Sequence, residues 1–278
     1  MKILITGIKG FLGINLIERL DKHEVFGLGT KEETIGKIQV FNSNDLDKLD
    51  QDFDLVIICH AAVESGTTTL LNENLFNVNV SLTERIIYKF KNAFIIYIST
   101  TSVYDFNFDF ITETSNINPQ SNYSLSKLWG EKIVLINKKT VILRLSSMYG
   151  IGMKENTLIP NYVNQALNSG IIEVWGKGDR LQNYVHVDDV VQYIDLIIQN
   201  KENLYGKILL GVSKKQYSNL EIANIILNYT KGKIKFVNED NSKSFCYNNN
   251  YTRNLLNWES QVEIEDRLKK YIEWKKKY

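Results

Sequence analysis

Eight residues near the amino terminus, Thr6-Gly7-Ile8-Lys9-Gly10-Phe11-Leu12-Gly13, restrict the fold more than any other stretch of the chain. They join a short apolar run, Lys2 to Thr6, to a segment with apolar residues at Leu12, Leu16, Ile17 and Leu20, the spacing of one helix face. Glycines at i, i+3 and i+6 suit a strand-to-helix turn in three ways. The first allows the tight turn, the second lets backbone approach a pyrophosphate, and the third lets the helix pack on its strand. The helix start at Phe11 and Leu12 then offers unpaired N–H groups and a positive dipole end to an anion. A dinucleotide is the ligand that this turn predicts, with Gly7, Gly10, Phe11, Leu12 and Gly13 against it.

The residues that follow keep alternating strand and helix patterns. Val25 to Leu28, Ile38 to Phe41, Leu55 to Cys59, Phe94 to Ile98 and Val141 to Leu145 read as strands, apolar on both faces as in a covered parallel sheet. Glu73 to about Phe90 and Tyr123 to about Leu135 read as helices between them. The expected fold is α/β, a doubly wound parallel sheet with a smaller α+β lobe toward the carboxyl end. The sheet unit takes residues 1–150 and about 187–213, and the substrate lobe about 151–186 and 214–278. Helices are expected in that lobe over Leu158 to Leu167 and Leu220 to Asn228.

Composition removes several classes. With 33 basic and 32 acidic side chains in 278 residues, no net field invites nucleic acid or a membrane surface. No apolar run approaches the ~18–20 residues of a membrane span. Two cysteines, Cys59 and Cys246, make no disulfide framework, so a soluble cytoplasmic protein is expected. His23, His60 and His186 lack ligand spacing, so no metal site is expected, and His60 reads as a packed strand-end residue. Asp188 and Asp189 read as the first turn of a helix.

Two further patterns bear on chemistry. Strand two ends Gly29-Thr30-Lys31, where an acid would hold the adenosine ribose of NAD. Thr30 and Lys31 instead suit a 2′-phosphate, which points to NADP; the alternative is NAD, with Glu32 or Glu33 bending back to the ribose. Tyr123 and Lys127 stand i and i+4 on one helix face. A phenol titrates near 10. A neighbouring ammonium and an oxidised nicotinamide both favour phenolate and would lower that value.

These pieces resemble the extended short-chain dehydrogenase/reductases, the sugar-nucleotide epimerase, dehydratase and reductase group with a Rossmann fold. The resemblance is carried by Thr6 to Gly13, Asp54 to Ala62, Ile98 to Tyr104, Asn118 to Lys127, Leu143 to Gly150 and Tyr184 to Val190. It implies Tyr123 as acid/base, Lys127 as the ribose-binding cation that tunes it, and Thr100 as the hydroxyl beside the reacting oxygen. Thr100 also suits a strand-end cap, with Ser102 as the hydroxyl that reaches substrate instead. The resemblance further places Ala61, Ala62 and Asn77 against the cofactor and implies a homodimer through two helices per subunit.

Three departures shape the expected reaction. Dehydratases of the group carry Asp-Glu after the catalytic Thr, whereas Thr101-Ser102 stands here. Epimerases usually keep the acid that Gly29 replaces. Gln182 occupies the place of an arginine that grips the nucleotide diphosphate, leaving Arg180 or Arg253 to substitute. The expectation is an NADP(H)-dependent keto reductase on a nucleotide-activated deoxysugar. An NAD-dependent nucleotide-sugar 4-epimerase is the alternative, and a non-catalytic dinucleotide-binding regulator a further one.

Overall fold

The computed structural model describes residues 1–63, 72–106, 110–260 and 262–277. Strands β1 (Lys2–Thr6), β2 (Glu24–Gly29), β3 (Glu33–Ile35), β4 (Ile38–Asn42), β5 (Leu55–Ile58), β6 (Phe94–Thr100) and β7 (Thr140–Leu145) join one sheet, as does β11 (Ile208–Gly211) from far along the chain. The order is β11-β7-β6-β5-β1-β2-β4-β3. Every pairing is parallel except β3 with β4. The parallel α/β sheet is as expected. The β3–β4 hairpin was not, because three residues closing on Gly36-Lys37 carry too little apolar periodicity to show.

Strand periodicity explains why this sheet is covered on both sides. Ile3, Ile5, Leu55, Ile57, Phe94, Ile96, Val141 and Leu143 pack into one core. Their alternating neighbours Leu4, Val56, Ile58, Ile95, Tyr97 and Ile142 pack into another. Each residue points opposite to the next along a strand, so a run apolar at every position must bury both faces. The first core is closed by α1 (Phe11–Arg19). The second is closed by a helix of three parts, α2 (Glu73–Leu75), a π-helical turn (Phe76–Ser81) and α3 (Leu82–Lys89), together with α4 (Asn122–Val134).

A third core is built mainly from residue 149 onward. Strands β8 (Ser147–Tyr149), β10 (Leu181–His186) and β12 (Gln216–Ser218) make a three-stranded sheet, and β9 (Ile171–Trp175) with β13 (Lys233–Val237) a parallel pair. Helices α5 (Leu158–Asn168), α8 (Asn219–Leu227) and α10 (Ile264–Lys275) pack on that core. Helix α6 (Val187–Gln199) returns to the main sheet; the short α7 (Lys201–Leu204) follows it, and α9 (Asn250–Leu256) lies beside β11. His186 caps α6 by accepting from the Asp188 amide at 3.1 Å, and both aspartates sit in its first turn. Among the described residues no helix is long and apolar enough to cross a membrane.

Candidate active site

The glycine turn sits at the carboxyl end of β1. Gly7 has φ of +65°, and a Cβ there would lie 2.8 Å from the His60 Cα. A Cβ on Gly13 would lie 2.6 Å from the Gly7 and Ile8 carbonyl oxygens. Backbone therefore replaces side chain at both positions, leaving a concave cradle. The Gly7 amide donates to Leu28 O and the Gly10 amide to Gly7 O, at 2.9 and 2.8 Å. Gly10 caps α1 without a side chain, so the first amides of that helix stay open to an anion. The cradle fits a pyrophosphate.

This cradle is one end of a cavity of about 420 Å³. Gly7, Gly10, Phe11, Leu12, Gly13 and Ala61 line it, as do Thr100, Tyr123 and Lys127 at its other end. The predicted phosphate turn and the predicted Tyr/Lys pair thus meet in one space. Thr30 and Lys31 are exposed and off its wall. Glu33 bends back to Lys9 of the glycine turn, at 2.9 Å.

Asn77 is exposed and off the wall, which corrects its expected place beside the cofactor. The asparagine that packs inward from this helix is Asn79, 1% exposed. It accepts from the Ala62 amide at 2.8 Å and donates to Ala62 O and Ser126 Oγ at 3.0 and 2.9 Å. Ala62 is thereby held by its backbone and lies off the cavity wall, one residue past Ala61. Helical spacing carried the signal: Leu75, Asn79, Thr83 and Ile86 form the buried stripe, and Asn77 falls on the opposite side. His60 contacts Thr6 Oγ1 at 2.7 Å and Thr83 Oγ1 at 3.3 Å, and burial with the Lys127 charge pulls it down to about 3. It is a neutral packing residue.

A capping box fixes where α4 begins, Ser124 N donating to Ser121 Oγ and Ser121 N to Ser124 Oγ, at 3.1 and 3.0 Å. Tyr123 and Lys127 follow one helical turn apart. Lys127 is 2% exposed, with Nζ 4.2 Å from the centre of the Tyr97 ring. Burial pulls it down to about 8, against the opposing pull of Glu131. Burial pushes the Tyr123 phenol up to about 12. That is the reverse of the lowering expected from its lysine: in the free protein, desolvation of the phenolate dominates.

Thr100 Oγ1 caps the 3₁₀ turn Thr101–Val103, accepting from the Ser102 amide at 3.1 Å, and lies 3.0 Å from Ser102 Oγ. It also lines both this cavity and a second of about 340 Å³. The second cavity shares Thr100, Tyr123 and Ser146 with the first and takes in Ser102 and Gln182. Asn183, Phe245 and Tyr247 also line it, and none of these three was foreseen. Its described walls carry no lysine, arginine or carboxylate.

The two arginines expected to substitute for Gln182 lie off both cavity walls. Arg180 donates to Lys243 O and stacks over Phe245. Arg253 is engaged by Glu259 and Asn250, and Lys214 shares that Glu259. Beneath α4 lies a network that the sequence did not disclose. Arg144 Nε and Nη2 donate to the two oxygens of Glu131 at 2.9 and 2.6 Å, and Ser99 Oγ donates to Oε1 at 2.6 Å. Among the described residues no cluster of three His, Cys, Asp or Glu could hold a metal ion.

Residues 3–211 match the model of the NAD dependent epimerase/dehydratase family. A Dictyostelium discoideum protein named dTDP-D-glucose 4,6-dehydratase is 27% identical over 276 residues, which span 82% of this chain and 62% of that protein. A Methanocaldococcus jannaschii protein named putative UDP-glucose 4-epimerase is 25% identical over 307 residues, 99% and 98% of the two chains. The UDP-glucuronic acid 4-epimerase of Bacillus cereus, solved with UDP-glucuronic acid and NAD, superposes with a TM-score of 0.86 over 100% of both chains, at 24% identity.

Proposed function

Since the chain belongs to the NAD dependent epimerase/dehydratase family, within the extended short-chain dehydrogenase/reductases, we propose that it is an NAD-linked epimerase of a nucleotide sugar. The carrying observation is a single space that joins the glycine cradle to Thr100, Tyr123 and Lys127 and opens onto a second, uncharged cavity.

A bound nicotinamide supplies the acceptor and then the donor of a hydride. The protein's residues do the rest. Tyr123 Oη takes the hydroxyl proton as a sugar carbinol becomes a ketone, and returns it when the ketone is reduced from its other face. Thr100 Oγ1 donates to the oxygen as its charge develops. Buried Lys127 keeps a cation near the phenol, and the uncharged hydroxyls and amides of the second cavity suit a neutral sugar ring.

NAD is preferred because the Lys9 charge near the turn is already met by Glu33 rather than left for a 2′-phosphate. The Bacillus cereus 4-epimerase, solved with NAD, points the same way. An NADPH-consuming keto reductase is the second reading, favoured by Gly29 where an acid would repel a 2′-phosphate. A 4,6-dehydratase is disfavoured by Thr101 and Ser102, which offer neither acid nor base. The purified protein, offered a panel of UDP- and dTDP-sugars, should carry dinucleotide and equilibrate 4-epimers with no net NADPH loss. Stoichiometric NADPH consumption on a 4-keto sugar would replace this reading by the reductase, and no turnover of either kind would remove both.

We also assign residues 1–150 with about 187–213 to cofactor binding and the remainder to substrate. β11 completing the main sheet supports that division, as do the separate cores. A homodimer through α2–α3 and α4 is supported by large apolar groups left exposed there. Leu125 and Trp129 are about half exposed, and Phe76 meets Trp129 edge-on at 5.8 Å. Trp129→Glu should halve the mass seen by analytical ultracentrifugation; an unchanged mass would place any interface elsewhere.

A further inference from the structure

We propose that Lys154 is a second grip on the cofactor, an ammonium that pairs with the dinucleotide's pyrophosphate from the side opposite the glycine cradle. The proposal rests on the dinucleotide reading of the first cavity and adds a residue to it.

Lys154 belongs to the loop between β8 and α5, a segment of the substrate side of the chain. Two contacts fix where that loop runs. A Cβ on Gly150 would lie 3.3 Å from Phe11 Cζ and 2.9 Å from Val187, so the loop backbone lies against the first residue of α1. Met153, 7% exposed, anchors the loop in the third core beside Tyr149 and Ile159. Lys154 comes next, exposed, on the wall of the cavity that Gly7 and Gly10 also line.

Charge completes the argument. The neighbouring acid, Glu155, is spent on Lys275 at 2.7 Å and on Asn164. Among the described residues Lys154 makes no ion pair, and no carboxylate lines the cavity. The wall therefore holds two lysines and the open amides of α1, and no carboxylate among its lining residues. Lys127 is committed to the Tyr123 end. A doubly charged pyrophosphate at the cradle is the complementary ligand.

Binding, not turnover, tests this. Titration calorimetry should show Lys154→Gln binding NAD and ADP-ribose about tenfold more weakly, the effect of losing one charge-assisted pair. Adenosine, which lacks phosphate, should bind the variant and the parent alike. Lys154→Arg should restore most of the loss, and the salt dependence of ADP-ribose binding should flatten in Lys154→Gln. UDP, which lacks the adenosine half of the dinucleotide, should bind both proteins equally. Unchanged ADP-ribose affinity in Lys154→Gln overturns the proposal while leaving the cofactor site standing. So does an equal loss for adenosine, which marks a structural effect, or a loss confined to UDP. A parent protein that binds no dinucleotide removes the cofactor reading and this proposal together.

Discussion

Tyr123→Phe should slow turnover by roughly 10²–10⁴-fold, the range for removing a positioned general acid or base, while dinucleotide affinity stays within about twofold. The change deletes one oxygen and keeps the ring that lines both cavities. The capping box on Ser121 and Ser124 fixes the start of α4 without the phenol, and the Tyr123 backbone carbonyl still accepts from Ser126 Oγ. Burial pushes the phenol up to about 12, so the free protein holds Tyr123 protonated at neutral pH, ready to give a proton to a reduced ketone. Taking a proton from a carbinol requires the opposite shift. Two positive charges, Lys127 and an oxidised nicotinamide, supply it only in the loaded site. Single-turnover rates in the two directions, measured beside a dinucleotide titration and a thermal unfolding curve, separate chemistry from binding and folding. A Tyr123→Phe variant that retained its rate would exclude this phenol from the reaction and revive the reading of the chain as a dinucleotide-binding regulator.

What could be read from the sequence divides along physical lines. The parallel sheet was legible because each central strand is apolar at every position, and only burial on both faces explains that pattern. The glycine turn was legible because its three glycines answer three separate steric demands, two of which reappear as Cβ positions under 3 Å from backbone. Tyr123 and Lys127 were legible because helical spacing alone puts i and i+4 together. The failures are equally specific. Asn77 was placed by resemblance, and in a repeating Asn-Val-Asn-Val stretch the buried side is fixed only by Leu75, Thr83 and Ile86, which put Asn79 inward instead. Arg180 was placed by its nearness to Gln182 in sequence and Arg253 by its position in the carboxyl-terminal lobe. Their three-dimensional partners, a carbonyl and a carboxylate on other segments, were invisible there. The second cavity draws Asn183, Phe245 and Tyr247 from a short strand and a loop more than 60 residues apart. No local period links them.

The pair that ties α4 to the sheet carries the other large effect. Glu131 lies one turn beyond Lys127 on the same helix, and Arg144 lies on β7; their side chains are 2% and 4% exposed. Both carboxylate oxygens are used, with Ser99 donating to one of them, while the guanidinium lies 4.6 Å from the centre of the Tyr104 ring. Two charges this deep repay their desolvation only through one another. Glu131→Ala should therefore cost about 3–5 kcal/mol, because it leaves a buried guanidinium uncompensated and strands the Ser99 hydroxyl. Glu131→Leu with Arg144→Met should recover most of that loss, since neither charge is then left buried. Urea unfolding of the two single variants and the double variant gives the coupling directly. A Glu131→Ala protein within about 1 kcal/mol of the parent would mean that water or a rearranged α4 reaches Arg144, and that the pair does not hold this helix. A double variant that regains its stability but turns over more slowly would instead identify the pair as what keeps Tyr123 and Lys127 in register with Thr100. That outcome is expected, because α4 bears the phenol and the ammonium, whereas β6 bears the hydroxyl they work with.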